Sequence, residues 1–163
     1  MMTRDPDPRP ALSARLLTRT LHTYWRFARA MTLGVRGAVI TSENQVFLVR
    51  HTYVPGWHLP GGGVEARETA VSALARELEE EARIALEGPP TLHGIFFNAK
   101  ISRRDHVLVY VVRAFRVLEE KRPDREIAAS GFFPVDRLPE ETSPATRRRI
   151  EEIVRGAPAS ETW

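Results

Sequence analysis

Residues 62–84 read GGVEARETAVSALARELEEEARI, and two spacings inside them decide how the rest of the chain is read. Val71, Leu74, Leu78 and Ala82 recur three and four residues apart, the interval of one helix face, so a helix is expected from about Thr69 to Ala82. The same segment crowds Glu77, Glu79, Glu80 and Glu81 together, although like charges at helical spacing repel. At about 100° per residue, Glu80 falls at roughly 300° and Glu81 at roughly 40° from Glu77, whereas Glu79 falls at roughly 200°. Three carboxylates therefore share one face and the fourth points elsewhere. An isolated cluster of this kind is ordinarily a solvated stripe, but it is also what a hard divalent cation binds. Upstream, Gly61, Gly62 and Gly63 present backbone without side chains just before a helix N-terminus, whose free N–H groups and dipole favour anions. A cation site beside an anion site suits phosphoryl chemistry.

The flanking sequence supplies strands. LGVRGAVIT (33–41) and QVFLVRH (45–51) are separated by the turn SENQ and are expected to form a hairpin. TYVPGWHLPGGG, rich in proline and glycine, is expected as loop. TLHGIFFNA and HVLVYVVRAFRV follow; the second is apolar at successive positions, which predicts a central strand covered on both faces. The charged LEEKRPDREI reads as a loop, GFFPVDRLP as a last short strand and turn, and SPATRRRIEEIVRG as a helix capped by Ser143 with Pro144 in its first position.

Composition narrows the classes. The 163 residues are 42% apolar and 28% charged, an ordinary balance for one globular core. The absence of cysteine excludes a disulfide framework and any thiolate zinc site, fits a reducing cytoplasm, and leaves oxygen or imidazole to hold any metal. No apolar run approaches the ~20 residues that cross a bilayer. Residues 1–10 (MMTRDPDPRP) read as a disordered leader. Residues 11–31 read as an amphipathic helix in which Leu12, Leu16, Leu17, Leu21, Tyr24, Trp25 and Ala28 oppose Arg15, Arg19, His22, Arg26 and Arg29. Such a helix packs on its own domain or on a partner subunit, and basic helices lying on membranes share the pattern. A homodimer without membrane attachment is the expectation, because the apolar strip would otherwise be exposed. Basic residues concentrate in this segment and at Arg147, Arg148 and Arg149, so the net charge of +3 does not describe a nucleic-acid-binding surface.

With those residues in place, the stretch resembles the Nudix box, G-x5-E-x7-R-E-U-x-E-E-x-G-U, where U is a bulky aliphatic residue. Gly62, Glu68, Arg76, Glu77, Leu78, Glu80, Glu81 and Ile84 occupy eight of its nine specified positions, and Arg83 stands where the family has glycine. A looser resemblance runs from about Leu33 to Val154 and includes WHLPGG and FFPVDRLP. The resemblance implies an α/β class fold, an α/β/α sandwich around a mixed sheet spanning 32–156, with the N-terminal helix as an addition and 157–163 as a C-terminal tail. It implies that Glu77, Glu80 and Glu81 bind Mg2+ or Mn2+ with the carbonyl of Gly62, and that Glu68 and Arg76 form an ion pair fixing loop to helix. The implied reaction is metal-dependent hydrolysis of a pyrophosphate bond in a nucleoside diphosphate derivative (a nucleoside triphosphate, a nucleotide sugar such as ADP-ribose, or a dinucleotide) by water attack on phosphorus. Glu81 or Glu80 would take the proton, or a carboxylate from a loop outside the box, for which Glu126 is the candidate; its other reading is a surface charge. The alternative function is a catalytically silent nucleotide-binding module of the same fold, against which the intact Glu77, Glu80 and Glu81 argue.

Arg83 leaves two possibilities: the helix continues to about Ala85, or Arg83 adopts the left-handed conformation at a cost on the order of 1 kcal/mol. For the substrate, Arg36, Arg50, His51, Tyr53, Trp57 and His58 precede the glycine run, where a base could stack and phosphates could meet an arginine. Trp57 could equally anchor its loop to the core. Phe96, Phe97, Asn98 and Lys100 lie at a distance after the box suited to a substrate pocket. The downstream proline of many ADP-ribose pyrophosphatases is absent, and the upstream signature of coenzyme A pyrophosphatases is incomplete.

Overall fold

Strands that are apolar at both odd and even positions need cover on both faces, and a helix with one apolar stripe supplies cover on one side only. Among the described residues this requirement is met by two helices on opposite sides of a layer of strands. The structure, a computed structural model, describes residues 30–163. The expected leader and N-terminal helix, and the dimer reading built on that helix, lie outside the described residues.

In chain order the elements are β1 (Thr32–Val39), β2 (Gln45–His51), β3 (Trp57–His58), α1 (Ala70–Ala82), β4 (Ile84–Leu86), β5 (Thr91–Phe97), β6 (Asp105–Val112), β7 (Phe115–Val117), β8 (Ile127–Pro134) and α2 (Pro144–Arg155). They form sheets of order β1-β6-β5, β3-β2-β8 and β4-β7. β1 and β6 run parallel, with Thr32 opposite Asp105 and Arg36 opposite Val109, while β5 joins β6 antiparallel, so this sheet is mixed.

Alternation along the strands sorts the core into two. Val35 and Val39 of β1, Phe47 and Val49 of β2, and Leu108, Tyr110 and Val112 of β6 pack against Ala73, Leu74, Leu78 and Ala82 of α1. The intervening Ala38, Val46, Leu48, Val107 and Val109 pack on the other face with Ile150 and Ile153 of α2. Gly37 lies under α1, where a Cβ would meet the Leu74 and Leu78 methyls at 3.1 Å. Thr69 caps α1 by accepting from Ser72 N at 3.1 Å, and Ser143 caps α2 by accepting from Thr146 N at 3.2 Å, with Pro144 opening that helix as expected.

Several expectations are corrected. β1 and β2 are not a paired hairpin: they enter different sheets and are bridged beside their turn by the Ile40–Val46 pair and by Thr41 N donating to Gln45 O at 2.9 Å, because each is apolar on both faces and takes its neighbours from strands later in the chain. The loop expected at TYVPGWHLPGGG contains β3, in which Trp57 and His58 pair with Arg50 and Val49. HVLVYVVRAFRV is two strands, β6 and β7, broken at Arg113 and Ala114. β7 pairs with β4, a three-residue strand that the sequence did not announce. The last strand, β8, begins at Ile127 and runs for eight residues. At the end of α1, Arg83 takes the left-handed conformation at φ 55° and ψ 41°, so the helix stops where the family's glycine would stop it. Its N–H still closes on Glu79 O at 3.2 Å and its guanidinium meets Glu119 at 3.2 Å. Residues 157–163 are laid against β5 by hydrogen bonds from Phe97 N to Glu161 O at 2.9 Å and from Trp163 N to Phe97 O at 3.0 Å. Among the described residues no helix is long and apolar enough to cross a membrane.

Candidate active site

The site starts from the free edge of β1. Pro60–Val64 lie antiparallel along that edge, with Gly37 N donating to Pro60 O at 2.9 Å, Val35 N to Gly62 O at 2.8 Å and Val64 N to Leu33 O at 2.8 Å. This contact explains the glycines. At Gly61, with φ 140°, a Cβ would collide with the Val35 carbonyl, and at Gly62 it would collide with the carboxylate of Glu77. Only Gly63 has open space beside it. The run is thus demanded chiefly by strand and carboxylate rather than by room for a ligand. The Gly62 carbonyl, expected among the metal ligands, is engaged by Val35 N–H.

α1 brings its carboxylates to the same loop. Glu81 is buried, and its Oε2 accepts from Gly61 N at 2.8 Å while its Oε1 lies 3.6 Å from His51 Nε2. Burial raises the Glu81 pKa to about 7; the Gly61 N–H and Arg36 pull it down, and Glu77 and Glu126 push it further up. Glu77 sits against Gly62 and pairs with Arg76 at 2.7 Å. Glu80 is exposed, its nearest positive charge being Arg76 at 3.5 Å, and Glu79 is exposed as expected. Arg76 also meets Glu68 at 3.0 Å and the Gly63 carbonyl at 3.1 Å, which ties the loop to the helix through the pair the sequence suggested. Glu68 in turn accepts from Glu65 N at 2.6 Å.

Among the described residues no three carboxylate or imidazole groups converge as a ready-made cage. The donor chemistry nevertheless fits a hard divalent cation: Glu77, Glu80 and Glu81 offer carboxylate oxygens from adjacent turns of one helix face.

Arg36 reaches the loop from β1, donating through one Nη to Leu59 O at 3.0 Å and to Gly61 O at 2.6 Å. Burial lowers its pKa, against the opposing pull of Glu81 and Glu77. His51 is buried, with neither ring nitrogen hydrogen-bonded among the described residues, and burial, Arg36 and His58 together take its pKa down to about 4, so it is neutral at pH 7. Arg36, His51, Tyr53 and His58 line a cleft of about 430 Å3 that includes Gly62 and Gly63 and continues to Asn98, Asp105 and Trp163.

The other expected substrate residues lie outside that cleft. Trp57 packs edge-on against Phe133 at 4.8 Å and joins the α2-side core, the anchoring role weighed for it. Arg50 is exposed and lies 5.5 Å over the Trp57 ring. Phe97 rests beside His106 at 5.4 Å. Glu126 is exposed at the start of β8; its carbonyl accepts from Thr52 N at 2.9 Å, and its charge is felt by Glu81 and Tyr53. Asp105 and Trp163 escaped the sequence reading. Asp105 enters the cleft through the parallel register of β1 and β6, and Trp163 through a segment that carries no motif.

Comparison with known proteins agrees with this geometry. A family profile described as NUDIX domain matches residues 31–153. A Bacillus subtilis protein provisionally named an 8-oxo-dGTP diphosphatase is 27% identical over 126 residues, 77% of this chain and 82% of its own length. The crystal structure of a MutT NUDIX hydrolase from Burkholderia pseudomallei has a TM-score of 0.63 and 31% identity, covering 76% of this chain and 98% of that one. An ADP-ribose pyrophosphatase from Streptococcus suis has a TM-score of 0.62 and 26% identity, covering 82% of this chain and 96% of that one. With the box on helix α1, its ion pair formed and the profile spanning most of the chain, the protein belongs to the Nudix hydrolase family.

Proposed function

We propose that the protein hydrolyses a pyrophosphate bond in a nucleoside diphosphate derivative, with Glu77, Glu80 and Glu81 holding Mg2+ or Mn2+. The observation that carries this reading is the buried Glu81 carboxylate, fixed by the Gly61 N–H at 2.8 Å and facing the same loop as Glu77. When bound, the cation neutralises pyrophosphate oxygens and lowers the pKa of the attacking water. The chain's own groups do the rest. The Gly61 N–H occupies Oε2 of Glu81 and leaves Oε1 to accept a proton, beside an imidazole that is neutral and does not compete as a cation. Arg36 is held by two carbonyls and presents a fixed positive charge where a leaving phosphate would sit. Glu126 is the second candidate base, placed at electrostatic range of Glu81.

The reading is tested by incubating wild-type protein with Mg2+ or Mn2+ and a panel of nucleoside triphosphates, nucleotide sugars including ADP-ribose, and dinucleotides, in 18O-labelled water. Metal-dependent release of a nucleotide with the label on a product phosphate is expected for at least one class. Absence of turnover across the panel, with nucleotide binding retained, would reassign the chain as a binding module.

A further inference from the structure

We propose that residues 157–163 are a gate over one end of the cleft: a strap that swings on Gly156, is latched by Arg149 and carries Trp163 as its plug. The proposal goes beyond the pyrophosphohydrolase reading and does not rest on it, because a gate acts on whatever ligand the cleft takes.

The segment is built to leave as a unit. It lies past residue 153, where the family profile ends, and follows Gly156, which closes α2 in the left-handed conformation at φ 62° and ψ 27°. Nothing lies within 4 Å of where a Cβ of Gly156 would stand, so the chain is free to turn there. Hinges are commonly such element-terminal positions, which absorb the change in backbone angles. Residues 157–162 are exposed throughout, and only Trp163 is half-buried. A segment that buries so little apolar surface opens locally at far less cost than the core unfolds.

What holds the strap is polar. Arg149, fully buried on α2, donates to Thr162 O at 3.0 Å and to Ser160 Oγ at 2.8 Å. Backbone bonds from Phe97 N to Glu161 O at 2.9 Å and from Trp163 N to Phe97 O at 3.0 Å lay it along β5. Water can take each of these places once the strap lifts. A buried guanidinium stripped of every partner would be costly. Arg149, however, keeps Glu152 Oε1 at 2.7 Å and the Phe96 ring centroid at 4.0 Å, both outside the strap. Glu152 in turn keeps His93 Nε2 at 3.1 Å. The latch therefore releases without stranding a charge.

Closed, the strap sets the Trp163 indole edge-on to Phe96 at 6.0 Å and makes it part of the cleft wall together with Asn98, Ile101 and Thr146. Phe97 is bonded to the strap through both its N–H and its C=O, and the next residue is Asn98, whose Nδ2 donates to Asp105 at 2.8 Å. Lifting the strap takes the indole out of the wall and frees the backbone beside Asn98. The cleft of about 430 Å3 then gains an opening between β5 and α2.

The test has two parts, both on the full chain. Amide hydrogen exchange under native conditions reads the opening directly. The Phe97 and Trp163 amides are expected to exchange about a hundredfold or more faster than the hydrogen-bonded amides of β6, and Ser160→Ala or Arg149→Lys to speed them about tenfold further with β6 unchanged. Ser160 is exposed, so its variant tests the latch even where Arg149→Lys fails to fold. Exchange of strap and β6 at a common rate would overturn the gate.

The second part locks the strap. The chain has no cysteine, and Phe97 and Thr162 are bridge partners on neighbouring segments, a separation of about 4.8 Å that a disulfide spans. The Phe97→Cys, Thr162→Cys double variant is oxidised, and dissociation of ADP without metal is followed by stopped-flow displacement. Oxidation is expected to slow dissociation about tenfold or more, and reduction to restore it. Equal rates in the locked and unlocked forms would overturn the gate. Failure of ADP to bind either form would count against the function proposed above, and the exchange result would still decide the strap.

Discussion

Gly62 shows how one residue serves fold and site together. Its hydrogen atom occupies the place where any side chain would displace the Glu77 carboxylate, and its carbonyl ties the loop to β1. Gly62→Ala is therefore expected to lower activity by about tenfold or more and to cost about 1–3 kcal/mol, the usual range for overpacking, measured by denaturant unfolding. At this scale the sequence was informative about the helix-borne groups, because one helix fixes the angles among Glu77, Glu80 and Glu81. It was silent about their partners. That Glu81 is buried against Gly61, or that Gly62 O accepts from Val35 N–H, depends on a loop lying along a strand edge, which no local spacing encodes.

At the scale of elements, α1 ends by strain that the chain tolerates. Arg83 holds a left-handed conformation at the position where the Nudix box has glycine, and its pair with Glu119 is a surface pair of small worth. Arg83→Gly should stabilise the protein by about 1 kcal/mol, raising Tm by roughly 2–4 °C with activity unchanged. The loop before β8 is held differently. Asp124 accepts from Ile127 N at 2.8 Å and Glu126 N at 2.9 Å and pairs with Lys121. The Ile127 N–H, then Lys121, then the Glu126 N–H hold its pKa below the ordinary aspartate range. A depressed pKa means that the stabilisation is complete above the unfolded value and is lost as pH falls through the folded one. The Tm gap between wild type and Asp124→Asn should thus be constant above about pH 5 and shrink below about pH 4. Helices and long strands were legible because their period repeats over many residues. β3, β4 and β7 were missed because two or three residues establish no period, and the hairpin was misread because strand pairing is decided by distant partners.

Across the described residues as a whole, two apolar cores lie on opposite faces of the strand layer and share no side chain. Leu78→Ala, on the α1 side, should cost about 2–5 kcal/mol, and Ile150→Val, on the α2 side, about 0.5–1.5 kcal/mol. Their sum should hold in the double variant to within about 0.5 kcal/mol, since distant sites add. A larger discrepancy in urea unfolding would mean that the layer transmits strain between its faces. The sandwich was implied by the resemblance to the Nudix box, and the one strand apolar on both faces, the carboxylate helix and the Ser143-capped helix agreed with it. The cleft was readable only at its box end, because its far wall is assembled from β6 and residues 157–163, which meet through topology alone.

The central claim, that the carboxylate face of α1 performs pyrophosphate hydrolysis, is tested most directly by metal-dependent turnover of the best panel substrate in wild type beside Glu81→Gln. The amide keeps the shape and can still accept from Gly61 N, but it cannot carry the charge or take the proton. A fall in kcat of about 10²–10⁴ with unfolding stability preserved is the expected result. Turnover within a few-fold of wild type would contradict the assignment and move the chemistry elsewhere in the cleft.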